Sequence, residues 1–142
     1  GNRPIFVSGA SMGGMTALFV AANRPVAGVI VLNPPPLRQI VLQQHAWWNA
    51  GWLSLLVAME IPPELDAVAN ARRCTAPLFA IVSDDDSVVP ARLQELIYSA
   101  YNGEKRVLHM PDASHNTHVS ADIERQRQRW LDVQWKRAVR EN

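Results

Sequence analysis

The chain has 142 residues, enough for one domain with a sizeable core and too few for two. Hydrophobic residues make up 48% and charged residues 19%, which argues against wholesale disorder, and 14 Lys and Arg against 13 Asp and Glu leave a net charge of +1. That balance gives no electrostatic reason to expect a nucleic-acid partner, and the one cysteine, Cys74, excludes an intrachain disulfide framework or a multi-cysteine metal site. The apolar runs are interrupted by Asn23-Arg24-Pro25 and by Glu60, Pro62 and Pro63, so no run reaches the ~20 residues of a membrane span. No secretory signal opens the sequence, and a reducing compartment, most simply the cytoplasm, is the expected location.

Short β-branched or aromatic runs alternate with longer helical segments, the pattern of a parallel sheet with crossover helices. Ile5 to Ser8 reads as the first strand, ended by Gly9, and Met12 to Ala22 as a helix that stops before Asn23-Arg24-Pro25. Val26 to Leu32 is almost continuously apolar, as a strand buried on both faces should be, and Asn33-Pro34-Pro35-Pro36 stops it. Residues 37–61 predict one or two helices carrying Trp47, Trp48 and Trp52, which suit a core or an interface, or alternatively a substrate pocket. A short helix follows from Glu64 to Arg73, then a third strand from Leu78 to Val82. Pro90 suits the first position of a helix running to Tyr101, and Arg106 to Met110 reads as the fourth strand. Ser120 caps a last helix whose apolar stripe holds Ile123, Trp130 and Leu131. Its Arg and Lys residues alternate with Glu124, Asp132 and Glu141, which reads as a solvated face.

Parallel sheets of this kind hold ligands at the carboxyl ends of their strands, and three strand ends here carry reactive residue types. After the first strand comes Gly9-Ala10-Ser11-Met12-Gly13, a G-x-S-x-G placed between strand and helix. A nucleophile on so sharp a turn needs small neighbours on either side, because the backbone approaches itself there. The third strand ends in Asp84-Asp85-Asp86-Ser87-Val88-Val89-Pro90, and the fourth in a turn with Ala113-Ser114-His115-Asn116. A serine hydroxyl needs a base within reach, and that base needs a carboxylate to fix its tautomer and stabilise its cation. Less specific roles stand beside these: a helix-capping serine, a solvated turn acid and an ordinary loop histidine. Asp84 and Asp85 read as solvated or capping acids, and His45, His109 and His118 as structural or surface residues.

With these three motifs in this order, the sequence resembles the α/β-hydrolase superfamily, in particular serine esterases of the prolyl-oligopeptidase and dienelactone-hydrolase neighbourhood. The resemblance implies Ser11 as nucleophile, His115 as general base and acid, and Asp86, in its D-x-V-V-P turn, as the orienting carboxylate. It further implies the Met12 backbone N–H as one oxyanion donor, an ester-type small-molecule substrate and no cofactor. Family members that carry the acid after the preceding strand would have it at Asn33, which favours Asp86. Relatives place several strands ahead of the nucleophile strand, whereas only Asn2, Arg3 and Pro4 separate Gly1 from Ile5. Residues 1–142 therefore resemble the C-terminal half of such a domain. The second oxyanion donor would come from a preceding loop, and the open sheet edge would pair with the other half or with another copy. A hydrolase-like binding module, or an inactive fragment awaiting its other half, is the alternative. Asp84-Asp85-Asp86 also resembles the nucleophile motif of haloacid-dehalogenase-like phosphatases, but that motif opens its fold and requires a later acidic pair.

Overall fold

The computed structural model describes residues 3–45, 56 and 58–141. Trp47, Trp48 and Trp52 lie outside the described residues, as does the side chain of His45. One four-stranded parallel sheet has the order β1-β2-β3-β4. Its strands are β1 (Phe6–Ala10), β2 (Gly28–Leu32), β3 (Leu78–Ser83) and β4 (Lys105–Met110). The helices are α1 (Met12–Asn23), α2 (Leu37–His45), α3 (Ala67–Arg73), α4 (Ala91–Ala100) and α5 (Ala121–Arg140). All four carboxyl ends point to one edge because every pairing is parallel, from Ala10 opposite Leu32 to Ser83 opposite Met110.

The continuous apolar runs of the central strands divide by strict alternation between two faces. Val29, Val31, Leu78, Ala80 and Val82 pack with Met15 and Leu18 of α1, Ala71 of α3, and Ile97 and Tyr98 of α4. Ile30, Phe79 and Ile81 pack on the other face with Ile123 and Trp130 of α5. The Phe79 and Trp130 rings lie 5.6 Å apart, and Phe6 meets Trp130 edge-on at 6.5 Å. α5 begins as expected, with Ser120 Oγ accepting from the Ile123 N–H.

Several boundaries differ from the sequence reading for identifiable reasons. β1 runs through Gly9 to Ala10, because pairing with β2 continues past the glycine. β2 starts at Gly28, while Ala27 N–H donates to the Ile5 carbonyl just ahead of it. The expected helix from Glu64 splits into a 3₁₀ turn, Pro63–Leu65, and α3, with the Asp66 side chain capping α3 by accepting from Ala69 N–H. Pro90 is the cap before α4, with extended ψ of 135°, rather than its first helical residue. Among the described residues, no helix is long and apolar enough to cross a membrane.

Cys74 closes α3 and is fully buried, its thiol directed at the Leu18 carbonyl at 3.4 Å. Burial pushes this thiol from 9.0 up to about 11. The folded protein thus keeps a proton that the unfolded chain releases, so the associated stability is complete below about pH 9 and is lost as pH rises towards 11. Urea midpoints measured across that interval should fall more steeply for the protein than for Cys74→Ala, and a thiol reagent at pH 8 should modify Cys74 only after unfolding.

Candidate active site

The turn between β1 and α1 turns the chain from strand into helix within one residue, Ser11, at φ 48° and ψ −122°. A side chain at positive φ is strained, so the surroundings must hold it there. The Ser11 N–H donates to the Leu32 carbonyl at 2.8 Å, and its own carbonyl accepts from Gly14 N–H at 2.9 Å. A Cβ on Gly9 would sit 2.0 Å from the Gly13 carbonyl oxygen, so this is where the backbone meets itself. The expected mirror-image requirement at Gly13 is absent: a Cβ there would meet nothing within 4 Å. Gly14 is the second tight position, where a Cβ would lie 2.9 Å from Pro34 Cβ.

Ser11 makes no side-chain capping bond to α1, although it occupies the cap position. Its Oγ lies instead 3.1 Å from His115 Nε2. On the other side of the ring, His115 Nδ1 is 2.6 Å from Asp86 Oδ2. A carboxylate only accepts, so Nδ1 carries the proton and the Nε2 lone pair faces the Ser11 hydroxyl. Asp86 is 4% exposed, and a charge so buried must have its oxygens satisfied. Oδ1 accepts from the Val88 and Val89 N–H groups at 2.8 and 2.7 Å, leaving Oδ2 for the imidazole. The three residues the sequence singled out, Ser11, Asp86 and His115, thus form one hydrogen-bonded line above the carboxyl ends of β1, β3 and β4. Met12 follows as the first residue of α1, where a backbone N–H has no partner within the helix. The residue is 52% exposed beside Ser11.

The neighbouring acids behave differently. Asp84 pairs with His109 at 2.7 Å, but both side chains are substantially exposed, so water screens the pair. Asp85 donates its backbone N–H to the Ala113 carbonyl and so anchors the turn that carries His115. No group of three or more His, Cys, Asp or Glu suited to a metal ion occurs among the described residues. Of the aspartates in the phosphatase-like motif, Asp84 is engaged with His109 and Asp86 with His115, while Asp85 bonds through its backbone to Ala113. A cavity of about 520 Å³, lined by Glu104, Lys105, Arg106 and residues of α5, lies at the amino ends of the strands, away from this line.

Sequence reasoning missed a buried polar group next to the site: Asn33, Ser83, Gln94 and Tyr98. The available signal was a glutamine on the apolar stripe of α4, alongside Leu93, Ile97 and Tyr98.

No protein-family profile matches the chain. Among curated proteins, it is 28% identical over 109 residues to an uncharacterized protein of Mycobacterium tuberculosis, recorded in strains CDC 1551 and H37Rv. That match covers 76% of this chain and 36% of the relative, so the chain spans little more than a third of its relative's length. Among solved structures, acetyl xylan esterase from Paenibacillus sp. R4 superposes with a TM-score of 0.75 at 17% identity, over 91% of this chain and 45% of that one. An alpha/beta hydrolase enzyme from the sediment metagenome of the Mar Chica lagoon, Morocco, superposes with a TM-score of 0.65 at 15% identity, over 92% and 62%. The fold of the chain is the α/β-hydrolase fold, represented by four parallel strands and their flanking helices.

The two glycines at either side of Ser11 should separate cleanly in unfolding experiments. Gly9→Ala is expected to destabilise the protein by about 1–3 kcal/mol through backbone overlap. Gly13→Ala, in open space on a helix, should be neutral or stabilising by up to about 1 kcal/mol in urea titrations.

Proposed function

We propose that the chain carries the nucleophile, base and acid of a serine esterase that works through an acyl-enzyme. In this reading the Ser11 hydroxyl attacks an ester carbonyl while His115 Nε2 accepts its proton. Asp86 keeps the ring in the tautomer that can accept and stabilises the imidazolium that results. The oxyanion of the tetrahedral intermediate meets the Met12 N–H at the start of α1, where the helix dipole adds favourable potential. A second donor, expected from a segment ahead of β1, completes that hole. His115 then gives its proton to the departing alkoxide, leaving an acyl group on Ser11. Water, deprotonated by the same imidazole, attacks this ester, and His115 returns that proton to Ser11 Oγ as the acyl bond breaks and the acid is released.

The observation supporting this reading is the unbroken pair of contacts, 3.1 Å from Ser11 Oγ to His115 Nε2 and 2.6 Å from His115 Nδ1 to Asp86 Oδ2. The strain at Ser11 adds weight, since a capping serine needs no positive φ. No organic cofactor or metal is required by these steps. An ester is favoured over an amide because solved structures sharing this fold include acetyl xylan esterases. The same chemistry extends to thioesters and, with a poorer leaving group, to peptide-like amides.

A fluorophosphonate probe applied to the protein in its full-length form should label Ser11, as located by peptide mass spectrometry. Ser11→Ala should abolish labelling and lower turnover of p-nitrophenyl acetate by at least about 10³-fold, with Asp86→Asn in a similar range. Full labelling of Ser11→Ala would overturn the assignment, and a full-length protein inert to the probe would favour a binding module instead.

A further inference from the structure

Beside the proposed catalytic line lies a set of polar side chains that the chemistry does not use. Asn33, Ser83, Gln94 and Tyr98 are each 1% exposed or less. Polar groups so deeply buried are destabilising unless they find partners, and apolar residues of the same shape would pack there without that demand. Their hydrogen bonds show what they hold. Asn33, at φ 47° directly after β2, donates from Nδ2 to Ser83 Oγ at 2.9 Å and accepts the Ser83 N–H at 2.8 Å. That pair ties the ends of β2 and β3 and would be complete without α4.

Gln94 has a different target. Its Oε1 accepts from the Tyr98 hydroxyl at 3.2 Å, which turns Nε2 towards the Val89 carbonyl at 2.9 Å. Its contact with Asn33 Oδ1 is longer, at 3.4 Å. Val89 is the residue whose N–H donates to Asp86 Oδ1 at 2.7 Å. The backbone of Val89 is therefore held from both sides, by the Asp86 carboxylate at its N–H and by the Gln94 amide at its carbonyl. Pro90, next in the chain, offers no N–H with which to brace this segment. The two N–H bonds on Oδ1 fix the rotation of the carboxylate and with it the direction of Oδ2 towards His115.

We infer that Gln94 is a positioning residue for Asp86: acting through the Val89 backbone, with Tyr98 setting the amide's orientation, it holds the carboxylate in line with His115. This rests on the catalytic reading for its consequence in turnover, but the His115–Asp86 contact it governs can be observed without turnover.

The test uses Gln94→Met, which keeps the volume and removes the amide, and the milder Tyr98→Phe, which removes one hydroxyl. Ile97→Val, a buried apolar trim on the same helix, serves as the comparison. Two measurements are made on the full-length protein: the downfield NMR resonance of the His115 Nδ1 proton, and the kinetics of p-nitrophenyl acetate hydrolysis, giving kcat and KM. Gln94→Met should displace or broaden that resonance and lower kcat about 10- to 100-fold while KM stays within about twofold. Tyr98→Phe should move both in the same direction by less, and Ile97→Val should move neither, whatever it does to the melting temperature. A folded Gln94→Met protein with the parent resonance and kcat overturns the inference. If Gln94→Met does not fold, an unchanged resonance in Tyr98→Phe overturns it. If Ser11 of the parent protein proves inert to a fluorophosphonate, the catalytic reading falls, and the His115 resonance alone still decides the role of Gln94.

Discussion

Everything at the carboxyl edge of the sheet depends on one residue being held where it would not rest by itself. A serine at φ 48° and ψ −122° is strained by on the order of 1–3 kcal/mol, and neither β1 nor α1 would choose that conformation alone. Three constraints hold it. The Ser11 N–H continues the β1–β2 ladder to the Leu32 carbonyl. The absent side chain of Gly9 admits the Gly13 carbonyl. Met15 and Leu18, both fully buried, pin α1 onto Val29 and Val31. Loosening any of these would let the turn relax and draw Oγ away from the imidazole, so core packing on one face of the sheet is coupled directly to the geometry of the site.

Two histidine–carboxylate pairs lie within a few residues of each other, and their contrast shows that distance alone does not make a site. His109–Asp84 and His115–Asp86 differ by only 0.1 Å in separation, 2.7 against 2.6 Å. The first pair is open to solvent, where water competes for every hydrogen bond and side-chain entropy opposes the contact. In the second, the Asp86 side chain is fully buried and has two backbone N–H groups on one oxygen, so its remaining oxygen has one direction in which to act. In a low-dielectric setting that fixed direction strengthens the interaction with any positive charge arising on the ring.

The alternation of apolar runs and helical segments was enough to read all four strands. β2 and β3, covered on both faces, left the continuous apolar signature of buried parallel strands, while the edge strands β1 and β4 showed shorter β-branched and aromatic runs. The three motifs were legible for a related reason, since each follows a strand end and parallel pairing brings those ends to one edge, while the resemblance to the α/β-hydrolases singled out Asp86 and His115 from their neighbours. Gly9 was misread as the stop of β1, since glycine interrupts strands by propensity, yet here it is needed inside the strand for the close approach of Gly13. The split at Asp66 was invisible because its carboxylate caps α3 from inside what looks like one helical stretch. Gln94 stood out only as a glutamine on an apolar stripe, and its role was not legible. On the buried stripe of a helix, an amide that grips the turn just ahead of its own helix has the same pattern as an amide that fills space, and only the partners of its two ends distinguish them.

Local rules of stability are broken in this chain chiefly where the strands end. Among the described residues, the three non-glycine residues with positive φ are Ser11 and Asn33, which directly follow β1 and β2, and Asp112, two residues beyond β4. A buried carboxylate and a buried pair of side-chain amides occupy the same edge, at Asp86, Asn33 and Gln94. Each would be destabilising taken singly, through backbone strain, charge burial or amide desolvation. Taken together they satisfy one another: Asn33 ties β2 to β3, Gln94 ties α4 to Val89, Val89 fixes Asp86, and Asp86 orients His115 towards Ser11. Among the described residues, the amino edge shows no such concentration, although the 520 Å³ cavity is there. Conformational strain and buried polarity, rather than cavity volume, distinguish the end of this sheet that carries the Ser11–His115–Asp86 line.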